Sequence, residues 1–201
     1  LGANNWINLW DQSSSTDEKK TLLQIARDLQ NAQVEEILIE CLNNFEIAGY
    51  AVQSLGFIGS QRASPAIRNL LLKDIESDRD WITHAAFITL ARLRDPASVS
   101  DMVTYLESTS NSDGYDGAIG LASIGTKEAE TALLNLKNQS DEFLVRGLVH
   151  FGSRKCIHRA IEIAKKKDNG PEWLAEHCKF SMWGFHGRSR RQYRKDVEIE
   201  P

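Results

Sequence analysis

The 201 residues carry a formal net charge of −4, with 41% hydrophobic and 26% charged residues, the balance of a soluble globular chain and not of a disordered one. That charge argues against a dedicated nucleic-acid binder, which ordinarily has a basic excess. No run approaches the ~20 apolar residues that a membrane-spanning helix needs, and four prolines with few Val or Thr runs favour helices over sheet.

The charge is unevenly placed. Residues 1–140 hold 11 Lys+Arg against 19 Asp+Glu, whereas residues 141–201 hold 13 against 9. Cys41, Cys156 and Cys178 are odd in number and irregularly spaced, which fits reduced thiols better than a disulfide framework. Two of them fall on apolar helical positions, where buried free cysteines are common. With no secretory signal visible, a cytoplasmic location is expected.

Residues 1–15 read as an N-terminal cap segment, in which Trp6, Ile7, Leu9 and Trp10 precede the polar break DQSSST. Ser15 and Glu18 fit a capping box ahead of TLLQIARDL, where Leu22, Leu23, Ile25, Ala26 and Leu29 form an apolar stripe. Asn31 punctuates, and VEEILIECL supplies a partner helix.

The phrase SLGFIGSQRASPAIRNLLL, Ser54 to Leu72, then sets the pattern: the end of one helix, a glycine corner, the start of a second. Its apolar positions Leu55, Ile58, Ala63, Ile67 and Leu70 recur as Leu90, Leu93, Ser98, Met102 and Tyr105. They recur again as Leu121, Ile124, Ala129, Leu133 and Leu136, and as Leu148, Phe151, Cys156, Ala160 and Ile163. An earlier copy reads Ala26, Leu29, Val34, Leu38 and Cys41. Intervals near 30 residues mark helical repeats whose units cannot bury their apolar faces alone. Gly59, Gly125 and Gly152 stand where a left-handed helix end is wanted, while Asp95–Pro96, Thr126 and Ser153 suit the start of the second helix. Small residues at Ala51, Ala86 and Ala118 permit close helix approach.

SLGFIGSQRASPAIRNLL and LASIGTKEAETALLNL resemble the short HEAT-like repeats of phycobilisome-lyase-type proteins; ARLRDPASV and VHFGSRKCI match the motif loosely. The resemblance covers roughly residues 20–167. It implies an all-α, right-handed α-α superhelix of about five helical hairpins with capping helices, the second helix of each hairpin lining the concave side. It also implies a repeat array over 16–167, and it carries fold alone, because such repeats serve scaffolds, lyase chaperones and a few enzymes. Residues 168–186 are then a C-terminal capping helix starting at Pro171, with Trp173, Leu174, His177, Cys178, Phe180 and Met182 as its apolar content. Residues 187–201 form a basic tail without an apolar stripe, expected to be mobile.

The second helices project one polar face. Two residues after each template alanine stand Glu36, Pro65, Ser100, Thr131 and His158; one turn further stand Glu40, Asn69, Thr104, Asn135 and Glu162. This ladder is acidic at its start, uncharged in the middle, and joined at its end by a basic patch of Lys155, Arg159, Lys165 and Lys166, with Arg188, Arg190, Arg191 and Arg194 in the tail. A solvated helix face has the same composition; as a functional surface the ladder suits docking of another protein of opposite polarity. The tail could meet phosphate or an acidic partner.

Other chemistry finds little footing. His177, Cys178 and His186, with Cys156 or His158, lack the paired spacing of a structural zinc site. His84 and His150 lie in apolar runs and read as hydrogen-bonded core histidines. No G-x-S-x-G or phosphate-cradling loop is present, and no Ser, His and acid are expected to converge. Arg79, Asp80 and Trp81 have the residue types of HEAT-like DNA glycosylases but begin a first helix, away from the ladder. The expectation is a non-catalytic, cofactor-free protein-interaction module acting as scaffold, adaptor or inhibitor. A bilin lyase or lyase-chaperone subunit is the alternative, and nucleic-acid binding through the C-terminal region comes third.

Overall fold

The computed structural model describes residues 2–73, 80–108, 114–137 and 140–181. Among them are twelve α-helices and two short 3-10 turns, and no strand. The helices are α1 (Ala3–Gln12), α2 (Thr16–Ala26), α3 (Ala32–Cys41), α4 (Phe45–Ile58), α5 (Ser64–Lys73) and α6 (Asp80–Leu93), then α7 (Val99–Ser108), α8 (Gly114–Ile124), α9 (Lys127–Asn135), α10 (Asp141–Phe151), α11 (Arg154–Ala164) and α12 (Gly170–Ser181). None is long and apolar enough to cross a membrane. The capping helix starts at Gly170, one residue before the expected Pro171; residues 182–201, including Met182, His186 and the four tail arginines, lie outside the described residues.

The chain divides into two compact units, Leu1–Asp95 and Pro96–Pro201. In the first, α4 packs between α2 and α6, while α3 lies on α4 and α5 on α6. In the second, α10 packs between α8 and α12, and α7, α9 and α11 run alongside one another as neighbours. The helices therefore alternate between two roles. The even-numbered ones, α2 to α10, form a packed row of first helices within each unit, and α3, α5, α7, α9 and α11 are their second helices.

The repeat register predicted by the sequence is the register of the core. Val34, Ala63, Ser98, Ala129 and Cys156, the same position in five copies, are each 0% exposed. Leu38, Ile67, Met102, Leu133 and Ala160, one turn on, are buried as well. Several expected core positions depart from this register, Leu29 and Ile58 being only half-buried. Ile25 is 39% exposed and leaves the α2 stripe, and in α5 it is Leu71, not Leu70, that is fully buried. A helical stripe about 100° wide admits either neighbour at its edge, so composition alone does not choose between adjacent leucines.

Local chemistry sets the helix ends. Ser15, Asn31, Asn44, Ser60, Thr126, Ser140 and Ser153 each accept a backbone N–H of the turn that follows them, satisfying donors that a helix start leaves open. The capping box at Ser15 is half formed: Ser15 accepts from Glu18 N–H, but the Glu18 carboxylate takes the Ser13 hydroxyl at 3.1 Å. Gly59, Gly125 and Gly152 adopt φ of 81°, 73° and 76°, and the equivalent place after α6 is filled by Arg94 at φ 53°. The corner thus demands a left-handed residue even where no glycine is supplied.

Tryptophans pack in the terminal helix of each unit, α1 and α12. Trp6 is fully buried, donates from Nε1 to the Leu22 carbonyl at 2.7 Å, and stacks on Trp10 with ring centroids 5.3 Å apart. In α12, Trp173 stacks on His177 at 4.2 Å, and Lys167 reaches over its ring.

Candidate functional site

Every ladder position is solvent exposed: Glu36, Glu40, Asn69, Ser100, Thr104, Thr131, Asn135, His158 and Glu162. Three belong to the first unit. There the acidic start is partly neutralised, because Arg62 pairs with Glu36 at 2.7 Å and with Glu35 at 3.5 Å. Arg62 is accordingly a clamp between α3 and the turn before α5.

In the second unit, six ladder residues lie on the three neighbouring helices α7, α9 and α11. Their polar groups are largely turned back on their own helices. Thr104 Oγ1 donates to Ser100 O at 3.0 Å, Thr131 Oγ1 to Lys127 O at 2.9 Å, and Asn135 Nδ2 to Thr131 O at 2.9 Å. Such back-bonding satisfies the hydroxyl within the helix and leaves the threonine methyl groups for the surface. On α11, His158 and Arg159 share Glu162, each at 3.6 Å, while Lys155, Lys165 and Lys166 are exposed.

Between α7 and α9 the surface opens into a groove of about 640 Å³. Val99, Val103, Ala97, Pro96 and Ala132 supply its apolar lining, and Ser100, Thr131, Asn135, Lys127 and Glu128 its polar lining. Lys127 pairs with Glu130 at 3.4 Å. Three residues singled out by sequence projection, Ser100, Thr131 and Asn135, are thus brought together on one concavity.

The groove coincides with a gap in a recurring contact. Ser60, at the start of the second-helix segment, donates to Glu35 on α3. Ser153, the same position three copies on, donates to Glu130 on α9 at 2.5 Å. At the copy directly after Ser60 the partners exchange chemistry: Ser64 donates to Asp95, also at 2.5 Å. The remaining pair of equivalent positions is Val99 and Thr126, and valine offers neither a hydroxyl nor a carboxylate. Where the hydroxyl–carboxylate clip is missing, α7 and α9 have the groove between them.

Burial alone would raise the Glu130 carboxyl, but hydrogen bonds from Ser153 and Lys127 and the charges of Lys127 and Lys155 outweigh it and hold the group below the ordinary carboxylate range. Burial pushes the Cys41 thiol up to about 11, only partly opposed by Lys19. It raises Cys156 likewise, against the Ser153 hydrogen bond.

The alternatives place as follows. The repeat geometry brings one Ser and one His together: Ser123 Oγ lies 3.3 Å from His150 Nε2. Ser123 donates its only proton to Ile119 O at 2.8 Å, so the ring must donate to the hydroxyl, the reverse of what a general base requires. His177 Nδ1 meets Trp173 O at 2.7 Å and its Nε2 lies 3.5 Å from Glu142; the Cys178 side chain lies outside the described residues. Among the described residues, no three His, Cys, Asp or Glu side chains converge to hold a metal. Trp81 lies across Gly49 of α4, edge-on to Tyr50 at 5.4 Å; Arg79 and the Asp80 side chain are outside the described residues.

Sequence projection missed Phe57, an exposed aromatic flanked by Arg27 and Arg92. The signal was available, since Phe57 and Arg92 stand 35 residues apart at the same repeat position. No protein-family model and no curated protein matches the chain.

Proposed function

We propose that the chain is a non-catalytic protein-binding module of the short HEAT-like type, its hairpins stacked as an α-α superhelix, that docks a partner on the exposed face of its second helices. The observation that carries this reading is the α7–α9 groove, an apolar concavity rimmed by Ser100, Thr131 and Asn135. Interfaces concentrate their binding energy in desolvated pockets that receive one or two anchoring side chains. On this rim the Thr131 hydroxyl and the Asn135 amide already donate to their own helix, which lowers the cost of desolvating them. The scaffold, adaptor and inhibitor readings share this surface.

The test is affinity capture from the native host with Asn69→Arg, Thr104→Arg and Asn135→Arg variants. Thr104→Arg and Asn135→Arg are expected to reduce recovery of the co-purifying protein by about ten-fold or more, the effect of losing a central anchor, with melting unchanged. Undiminished capture by all three variants overturns the reading.

The groove's volume also falls in the range of small-molecule pockets, roughly 300–1,000 Å³, which leaves room for the bilin alternative, but the groove is a shallow, open depression. Against that alternative, the lining offers one cation, Lys127, already paired with Glu130, for a pigment with two carboxylates. A bilin in the groove is expected to show induced circular dichroism, and a flat spectrum removes this reading.

A further inference from the structure

Phe57 is the most exposed large apolar side chain among the described residues, at 53%. It sits near the C-terminal end of α4, on a first helix and so apart from the second-helix ladder. Arg92 of α6 lies over its ring with the guanidinium carbon 4.1 Å from the centroid, and Arg27, just past α2, stands 5.6 Å away. Three successive first helices thus assemble a cation–aromatic–cation surface.

Four of the other arginines stand beside a carboxylate. Arg62 pairs with Glu35 and Glu36, Arg146 with Glu142, Arg159 with Glu162, and Arg27 lies 3.9 Å from Asp28. Arg92 is half-buried and, among the described residues, has no carboxylate within ion-pair distance. Its guanidinium rests on the Phe57 face. Burial without a compensating anion lowers its pKa from the usual arginine value.

A guanidinium held against an aromatic ring loses freedom while the N–H groups at its edge remain able to donate. Both properties favour bidentate capture of a carboxylate. Partial desolvation strengthens the attraction relative to a fully hydrated arginine, and pre-ordering on the ring reduces the entropy lost on binding. The ring itself supplies apolar contact beside the charge. The surrounding unit limits what can approach: residues 1–95 hold 13 Asp+Glu against 9 Lys+Arg, a field that opposes a polyanion.

We propose that Arg92, Phe57 and Arg27 form a second docking surface, which receives a protein segment presenting a single carboxylate next to an apolar side chain. This surface is independent of the second-helix groove.

The probe is the peptide acetyl-Ala-Leu-Glu-Leu-Ala-amide, titrated into isotopically labelled full-length protein while the Arg92 Nε–Hε and Phe57 ring resonances are followed. Saturable shifts of both are expected. Affinity should fall about five-fold or more, the worth of one charge-assisted contact, when glutamine replaces the peptide's glutamate. The same fall is expected in Arg92→Gln and Arg92→Lys, since lysine keeps the charge but lacks the fork. Phe57→Leu, which removes the aromatic platform and keeps the charge, is expected to weaken binding as well. Equal binding by Arg92→Gln, or absence of any saturable shift, overturns the proposal. So does tighter binding of a ten-nucleotide oligothymidylate to the same resonances, which would assign the surface to nucleic acid.

Discussion

Gly147 of α10 lies against the backbone of Ala118 in α8, so closely that a Cβ on residue 147 would meet the Ala118 carbonyl oxygen at 2.7 Å. The same repeat position is held by Ser54 and Thr89 in the first unit. There the side chain fills the space with a hydrogen bond to the equivalent carbonyl, Ser54 to Leu23 and Thr89 to Val52. One carbonyl row is therefore met by hydroxyls in one unit and by a bare glycine in the other. Gly147→Ala is expected to cost about 1–3 kcal/mol, since backbone atoms, unlike a side-chain tip, cannot step aside. Gly59→Ala is a useful contrast: nothing lies within 4 Å of a Cβ there, but φ is 81°, so only left-handed strain of about 1–2 kcal/mol applies. Chemical denaturation of the two variants checks both values. A Gly147→Ala protein as stable as wild type would mean that α8 and α10 are not in this contact.

Ser153 joins two interactions, accepting the Cys156 N–H and donating to Glu130. Its replacement by alanine should therefore have a pH-independent part and a pH-dependent part. Loss of the cap costs about 1 kcal/mol at any pH. The Glu130 part follows from its depressed pKa: a carboxyl held below its unfolded value stabilises the fold above that value, and the contribution disappears as pH falls through the folded pKa. The stability difference between wild type and Ser153→Ala should be larger at pH 7 than at pH 3, the decline setting in below about 4.3, the unperturbed glutamate pKa. A pH-independent difference would show that the Ser153–Glu130 bond contributes nothing.

The residues legible in the sequence are those whose contacts repeat. Val34, Ala63, Ser98, Ala129 and Cys156 share one register because each meets the same surroundings in its own copy, and their shared burial follows. The ladder is legible for the same reason, as the complement of that register. Contacts that differ between copies are not. Nothing in the local sequence marks Gly49 as the floor under Trp81, because its partner lies 32 residues away on another helix. The exchange of roles between Ser64 and Asp95 hides the clip from a residue-type alignment, although the positions agree. The groove follows from one substitution, Val99 at a clip position, whose meaning appears only beside the three clips that are made.

Cys41 and Cys156 are buried thiols without a disulfide. With the Cys41 pKa pushed up to about 11, about one molecule in a thousand carries its thiolate at pH 8, and the thiolate is the reactive form. Both sulfurs are also shielded by the second-helix core. In a Cys178→Ser background, native protein is expected to react with a disulfide reagent only at the rate at which it unfolds. Addition of denaturant should release two equivalents at once. Rapid labelling of the native protein would contradict the burial of these positions.

The clips supply the last test, because they assign a measurable difference to chemically similar positions. Glu35 with Ser60, and Glu130 with Ser153, each join two successive second-helix segments through a hydroxyl and a carboxylate. Hydrogen bonds to charged groups contribute about 1.5–3 kcal/mol when their surroundings are dry, and half-exposed ones less. Double-mutant cycles with Glu→Gln and Ser→Ala should therefore give coupling of about 1 kcal/mol in both pairs. The equivalent cycle with Val99→Ala and Thr126→Ser should give coupling near zero, because Thr126 Oγ1 bonds the Ala129 N–H of its own helix and Val99 has no polar group to meet it. Substantial coupling at Val99 and Thr126 would mean that α7 and α9 are joined there by packing, and the groove between them would then be a depression in a continuous contact, not an opening at a missing one.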